Sequence, residues 1–293
     1  MSGLTAELAA FTAHPRFDAL PPRAVEIIQS GFADTIATLL AGRDEPVVRI
    51  AQAFVAARQS TIAEASLLLG TRKAASADAA LVNGAAGHAL DFDDVALGGH
   101  PSTVLVPALL AEGERLDVSG DEVVRAYLVG YEVWAELFRR EPDAYHLKGW
   151  HPTAALGTVG AAAAVAYLNK LPEDKCRHAI ALAASMACGL VANFGTMTKP
   201  LHAGRAAAAA IDAVRFAACG LTAAPDAIEH HAGYLAALSP QGRANRTSAA
   251  SGLGRELRVL EYGLSIKKPH LLRNAQSHRR GARPCTRTRR AWR

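Results

Sequence analysis

At 293 residues the chain can bury a large core, as one big domain or two ordinary ones. Half of it is hydrophobic and only 6% is aromatic, with alanine dominating the middle, a composition that favours helices packed through small side chains. The formal charge of +5 is a poor guide to nucleic-acid binding: residues 267–293 hold ten Lys and Arg and no acid, and the body carries 22 basic against 27 acidic residues, a charge of −5.

Met1 to His14 offers neither a basic leader nor a clear apolar stretch, so no export signal is read and a cytoplasmic protein is expected. No apolar run reaches the roughly 18 residues of a bilayer span without a Gly, a charge or a polar group. Pro22 opens a helix to about Leu40, with Ala24, Ile27, Ile28, Phe32, Ile36 and Leu39 at helical spacing. Pro46 to Arg58 and Ala75 to Leu90 continue the pattern. Ser119-Gly-Asp-Glu122 is a capping box, starting a helix to about Phe138. Thr153 to Leu168, Glu173 to Val191 and Ala203 to Gly220 supply three more. Strand alternation is nearly absent. The expected fold is all-α over residues 1–266, followed by a basic tail over 267–293.

Four cysteines, Cys176, Cys188, Cys219 and Cys285, have no metal-ligand or redox spacing and read as small structural thiols. Gly157-Thr-Val-Gly160 lacks the Lys-Ser/Thr of a phosphate loop, and His230-His231 has no spaced partners.

Reactive side chains concentrate in three segments between helices. His88-Ala-Leu-Asp91-Phe-Asp93-Asp94 runs on to His100-Pro-Ser102. Three acids in four residues repel one another unless some are solvated, hydrogen bonded or protonated. On residues alone this is equally a helix end with an Asx-turn or a loose cation site. Lys148-Gly-Trp150-His151-Pro-Thr153 precedes an Ala-rich helix with Thr153 as its expected cap. That puts His151 near a helix N-terminus, which disfavours a cationic ring; a plain capping turn is the alternative. Asn193-Phe-Gly195-Thr196-Met-Thr198-Lys199-Pro-Leu-His202-Ala-Gly204-Arg205 gathers three cationic or cationisable groups in seven residues. Beside a helix N-terminus these make a receptor for carboxylates.

Taken together, these strings resemble the MmgE/PrpD family, which includes 2-methylcitrate dehydratase, cis-aconitate decarboxylase and iminodisuccinate epimerase. The telling segments are His88 to Asp94 with His100-Pro-Ser102, Gly149-Trp150-His151-Pro152, and Phe194-Gly195-Thr196 with Lys199-Pro-Leu-His202-Ala-Gly204. Asn83-Gly84 and Gly130-Tyr131-Glu132 add weaker support. The resemblance implies catalytic roles for Asp91, His100, His151 and Lys199, with His202 and Arg205 binding substrate. It implies a small di- or tricarboxylate substrate, proton abstraction next to a carboxylate, and a homodimer, with no metal and no organic cofactor. His100 and His151 are the acid and base candidates, Asp91 orients one of them, and Lys199 and His202 stabilise charge. Val95 stands where some relatives carry a hydroxyl residue.

The ending departs from the resemblance. Family members are similar to a two-domain protein in which an α/β domain closes over the helical one. After a segment like Leu264-Ser-Ile-Lys-Lys268 they typically continue Tyr-Pro-Thr-Cys-Tyr-Ala-Thr-His. Codons for that string, entered two bases late, read Pro-His-Leu-Leu-Arg-Asn-Ala and the start of Gln, as residues 269–276 do here. The expectation is therefore a frameshifted, truncated chain whose tail is disordered and whose 2-methylcitrate dehydratase-like lyase activity is weak or absent. The alternatives are epimerase or decarboxylase chemistry of the same family, a non-catalytic helical oligomer, and nucleic-acid binding through an Arg-rich arm.

Overall fold

The structure is a computed structural model that describes residues 3–17, 19–250 and 252–267. The frameshift and disordered-tail expectations fall on residues 268–293, outside the described residues. The described chain is all-α apart from one short hairpin: α1 (Leu4–Ala13), α2 (Pro22–Gly42), α3 (Pro46–Ala57), α4 (Ser76–His88), α5 (Ser102–Leu116), α6 (Gly120–Arg139), α7 (Pro152–Leu168), α8 (Glu173–Met186), α9 (Thr198–Ala218), α10 (Tyr234–Leu238) and α11 (Arg258–Tyr262). The hairpin pairs β1 (Ala65–Ser66) with β2 (Lys73–Ala74), antiparallel.

Five helices make the centre. α4 packs on α9, α9 on α7, and α7 on α5 and α6. α7 is buried along nearly its whole length because it is built of Ala, Gly, Val, Thr and Leu; small side chains on every face let neighbours close in from all sides. Glycine sets the tightest approach. A Cβ on Gly84 of α4 would lie 2.9 Å from the Gly204 Cα of α9, and one on Gly204 would collide with the Leu81 carbonyl oxygen.

The capping box of α6 forms, with Ser119 Oγ accepting from the Glu122 N–H and the Glu122 carboxylate accepting from the Ser119 N–H. Other boundaries differ from those read in sequence. α9 starts at Thr198, not Ala203. Pro200 is its third residue, where the first turn needs no intrahelical donor. α7 starts at Pro152, so His151 takes the cap position, and the Thr153 hydroxyl accepts instead from the His100 N–H. α8 ends at Met186, after which residues 187–190 extend to pair with the loop before α7. α5 lies where no helix was expected: it contains Pro107, yet Ser102 to Leu109 is wholly buried and packing carries the helix. Cys188 and Cys219 are exposed rather than buried, because both fall just beyond helix ends.

Among the described residues one helix, α2, is long and apolar enough to cross a membrane by length and composition. Here it packs on α4, α5, α6 and α11, and its Asp34 carboxylate accepts from the Asp94 N–H at 2.9 Å.

The α4–α9 contact yields a prediction. Gly204→Ala should cost about 1–3 kcal/mol by forcing two backbones apart, seen as a fall in the thermal midpoint. Gly120→Ala is the control, since a Cβ there meets nothing within 4 Å and should leave the midpoint unchanged or raise it.

Candidate active site

α4 delivers His88 on its last turn, and the chain reverses at Asp91, which adopts a left-handed φ of 56°, a conformation Asp tolerates better than most residues. The three acids then separate. Asp91 keeps 49% of its side chain exposed, whereas Asp93 and Asp94 are fully buried.

Asp93 takes both neighbouring imidazoles. His88 Nδ1 lies 2.9 and 3.1 Å from its two oxygens, and His100 Nδ1 lies 3.1 Å from one of them. The His100 contact is an ion pair bent away from hydrogen-bond alignment. Burial alone would raise the Asp93 carboxyl, but the charges and contacts of His100 and His88 hold it well below the carboxylate range. Burial would lower His100, and the Asp93 charge outweighs it and raises the ring above the usual histidine value. His88, wholly enclosed, is lowered by burial despite Asp93. The triad thus sets an anion between one ring whose proton is favoured and one whose proton is disfavoured.

Asp94 faces the opposite way. It accepts from the Ser102 hydroxyl in a very short contact and from the Ser102 N–H at 3.3 Å, and the Ser102 hydroxyl also meets Tyr127 Oη at 2.7 Å. Burial first, then the Asp93 charge, pushes its carboxyl up to about 7. A neutral Asp94 removes one of the repulsions in the acid triplet.

Lys199, in the first turn of α9, closes the mouth. Its Nζ lies 2.5 Å from Asp91 Oδ1 and 5.3 Å from the Phe194 ring centroid. Lys267 arrives from the other end of the chain, held by the Val95–Ser265 bridge, and donates to the Asp91 carbonyl at 2.6 Å. Burial would raise Asp91, but Lys199, His88 and Lys267 together lower it. His151 lies behind Phe194, with its N–H donating to the Gly189 carbonyl at 3.0 Å. Its ring stacks on His88 at 5.7 Å, and His88 lies 4.7 Å from His100. Burial, then the neighbouring His88 and Lys199, drives His151 down to about 2.

Asp91, His100, His151 and Lys199 therefore share one cluster, although they span more than a hundred residues of chain. His202 joins it behind His151, with its Nδ1 at 3.2 Å from His151 Nδ1. Arg205 is not brought in. Six residues after Lys199 it has turned about 120° around the helix, and it borders a separate apolar hollow of about 460 Å³ with Ile50, Phe54, Met197 and Leu201. A larger hollow of about 640 Å³, lined by Leu109, Glu114 and Val123, also lies away from the histidines; chemistry, not volume, marks the site. Sequence reasoning missed Asp93, Asp94 and Lys267. The available signal was the crowding of acids, which requires at least one to find a cationic partner.

His88, Asp91, Asp93 and His100 each offer a ligand atom within 4.8 Å of the others. Two ammonium groups already contact Asp91, so positive charge occupies the place where a cation would sit. The arrangement instead presents positive charge and N–H donors to an incoming anion.

The MmgE/PrpD N-terminal domain profile matches residues 6–247. The chain belongs to the MmgE/PrpD family. It is 40% identical to human cis-aconitate decarboxylase over 162 residues, 53% of this chain and 34% of that protein. It is 41% identical to the mouse cis-aconitate decarboxylase over 149 residues, 49% of this chain and 30% of that one. A cis-aconitate decarboxylase of Aspergillus terreus is 29% identical over 217 residues, 70% of this chain and 44% of its own length. The chain thus spans between about a third and under half of the curated relatives it matches.

Asp94 supplies a second prediction. Its raised carboxyl keeps a proton in the folded state that the unfolded chain gives up, so its contribution makes stability fall as pH rises from about 4 towards 7. Asp94→Asn, permanently neutral, should remove that slope. Its thermal midpoint, compared with the native chain, should improve by several degrees between pH 5 and pH 8; a constant difference would place an ionised Asp94 in the fold.

Proposed function

We propose that this helical domain carries the substrate-binding and proton-transfer groups of a lyase acting on a small di- or tricarboxylate next to one of its carboxylates. The observation that carries the reading is the opposite setting of two imidazoles behind a mouth guarded by Lys199: His100 Nδ1 lies 3.1 Å from the buried Asp93 carboxylate, whereas His151 meets the rings of His88 and His202. Groups pushed apart in this way can serve as acid and base at one pH. Lys199 and Lys267 receive a substrate carboxylate, Asp91 holds Lys199 in place, His100 donates a proton and His151 exchanges one. Decarboxylation of cis-aconitate is the first reaction to test, since the similar proteins bear that name. As CO2 leaves, the bond's electron pair stays on carbon, which then takes a proton from an acid such as His100. Dehydration of 2-methylcitrate is the second reading. It follows from the resemblance of residues 88–102, 149–153 and 194–204 to a family that includes that dehydratase. Neither reaction requires a metal or organic cofactor in this reading, and a second copy of the chain is the expected partner.

Calorimetric titration with cis-aconitate tests the site directly. Lys199→Ala should weaken binding by about 10-fold or more, as loss of a charged hydrogen bond does. Affinity should decline as pH rises above the usual histidine range and His100 gives up its raised proton; His100→Gln should flatten that dependence. Acetate bound as well as cis-aconitate, with no effect of Lys199→Ala, would remove the reading. Release of CO2 from cis-aconitate, against a new conjugated double bond from 2-methylcitrate, separates the two reactions.

A further inference from the structure

His202, expected from the sequence to contact substrate, already has its Nδ1 engaged. It faces the Nδ1 of His151 at 3.2 Å, with ring centroids 5.4 Å apart. Two imidazoles can meet nitrogen to nitrogen at this distance only if one proton lies between them. Two lone pairs repel, and two N–H groups clash. One ring is therefore the Nδ1–H tautomer and the other the Nε2–H tautomer.

The surroundings enforce the contact. Both rings are buried, and Gly189 (φ 114°) lies against them, where a Cβ would come within 3.3 Å of His151 Cβ and His202 Cγ. On the far side of His151, His88 gives its Nδ1 to Asp93 and cannot serve His151 in the same way. The largest influences of charged or titratable groups on His151 are those of His88, Lys199, His202 and His100. Burial and Lys199 lower His202 as well. Neither ring is placed to keep a second proton near neutrality.

We propose that His202 is a positioning residue and relay partner for His151, the proton on their shared Nδ1–Nδ1 axis moving between the rings while His151 exchanges a proton with substrate at Nε2. The inference rests on the proposed role of His151. When a substrate C–H is broken, its proton bonds to the His151 Nε2 lone pair and the electron pair stays on carbon. The His151 Nδ1–H proton passes to His202 Nδ1, and the His202 Nε2–H proton leaves to water. Both rings end neutral with their tautomers reversed. Run backwards, the same sequence delivers a proton to carbon, as decarboxylation requires. A ring that could not hold a proton as imidazolium would be a poor base alone; with a partner it only has to change tautomer.

Imidazole ¹⁵N spectra of the full 293-residue chain, without ligand at pH 7 to 8, test this. The expected result is a pair of intermediate Nδ1 shifts whose protonated fractions are complementary. As temperature moves one up the other moves down, and a scalar coupling crosses the N–H···N bond. In His202→Asn, whose amide can bond His151 but has no second ring nitrogen to discharge a proton, His151 should lock into one tautomer. Two bare Nδ1 atoms in the native chain, or one donor that stays fixed with temperature, would overturn the relay; the fixed donor would mean a static, structural bond. Should the variant fail to fold, the native spectrum alone decides. The substrate reading fails separately: a shared proton without cis-aconitate binding keeps the relay and rejects the substrate, whereas binding with two bare Nδ1 atoms rejects the relay alone.

Discussion

A carboxylate with no access to water must find positive charge or take up a proton, and Asp93 meets that requirement by gripping His88 and His100 together. Much of the site follows from this grip. It ties the end of α4 to the loop that leads into α5, so the loop has one conformation rather than many. It also divides the work of two chemically identical rings. The more deeply enclosed His88 stays neutral while His100, nearer the mouth, holds its proton. Truncating Asp93 would leave a buried cationic ring without its counter-charge, the costly half of a broken ion pair.

The grip would be idle without the helix that faces it. Lys199 reaches Asp91 because α9 lies against α4 with two glycines at the crossing. That closeness belongs to the backbone: no side chain at Gly84 or Gly204 could be trimmed to reproduce it. The small-residue composition noted in sequence has a functional consequence here. A helical core of larger side chains would set α4 and α9 further apart and move the Lys199 ammonium off the Asp91 carboxylate. Packing density and charge placement are one constraint at this point.

The long helices were readable because periodicity and end signals coincide in them: Pro22 and Pro46 open α2 and α3, and Ser119 with Glu122 opens α6. α5 was not, since Pro107 argues against a helix in sequence and only burial on every side overrides it. The reactive segments were also visible, as clusters of acids or cations beside helix starts. What spacing could not supply was direction. Asp91, Asp93 and Asp94 look alike on paper, yet one faces the mouth, one faces two imidazoles and one faces Ser102 and Tyr127. Arg205 shows the same gap from the other side: it was grouped with Lys199 and His202 as part of one loop, and the early start of α9 turns it away. Lys267 was placed in the basic tail by composition, although its ammonium meets Asp91.

The file of imidazoles from His100 through His88 to His151 and His202 therefore has a gradient built into it. At the His100 end the nearest partner is the Asp93 anion, and a proton is held. At the His151 end the neighbours are cations or other rings, and a proton is refused. A single histidine cannot be both a ready acid and a ready base at one pH, because the proportion in each form is set by one equilibrium. Two histidines in opposite fields divide the roles, one favouring the protonated form and the other a bare lone pair. The gradient needs no change in the rings, only one buried carboxylate at one end and its exclusion from the other. Placing an acid beside His151 would steady that ring as an imidazolium and erase the difference. The Asp93 carboxylate thus fixes the His100 end, while the largest influences on His151 come from other rings and from Lys199.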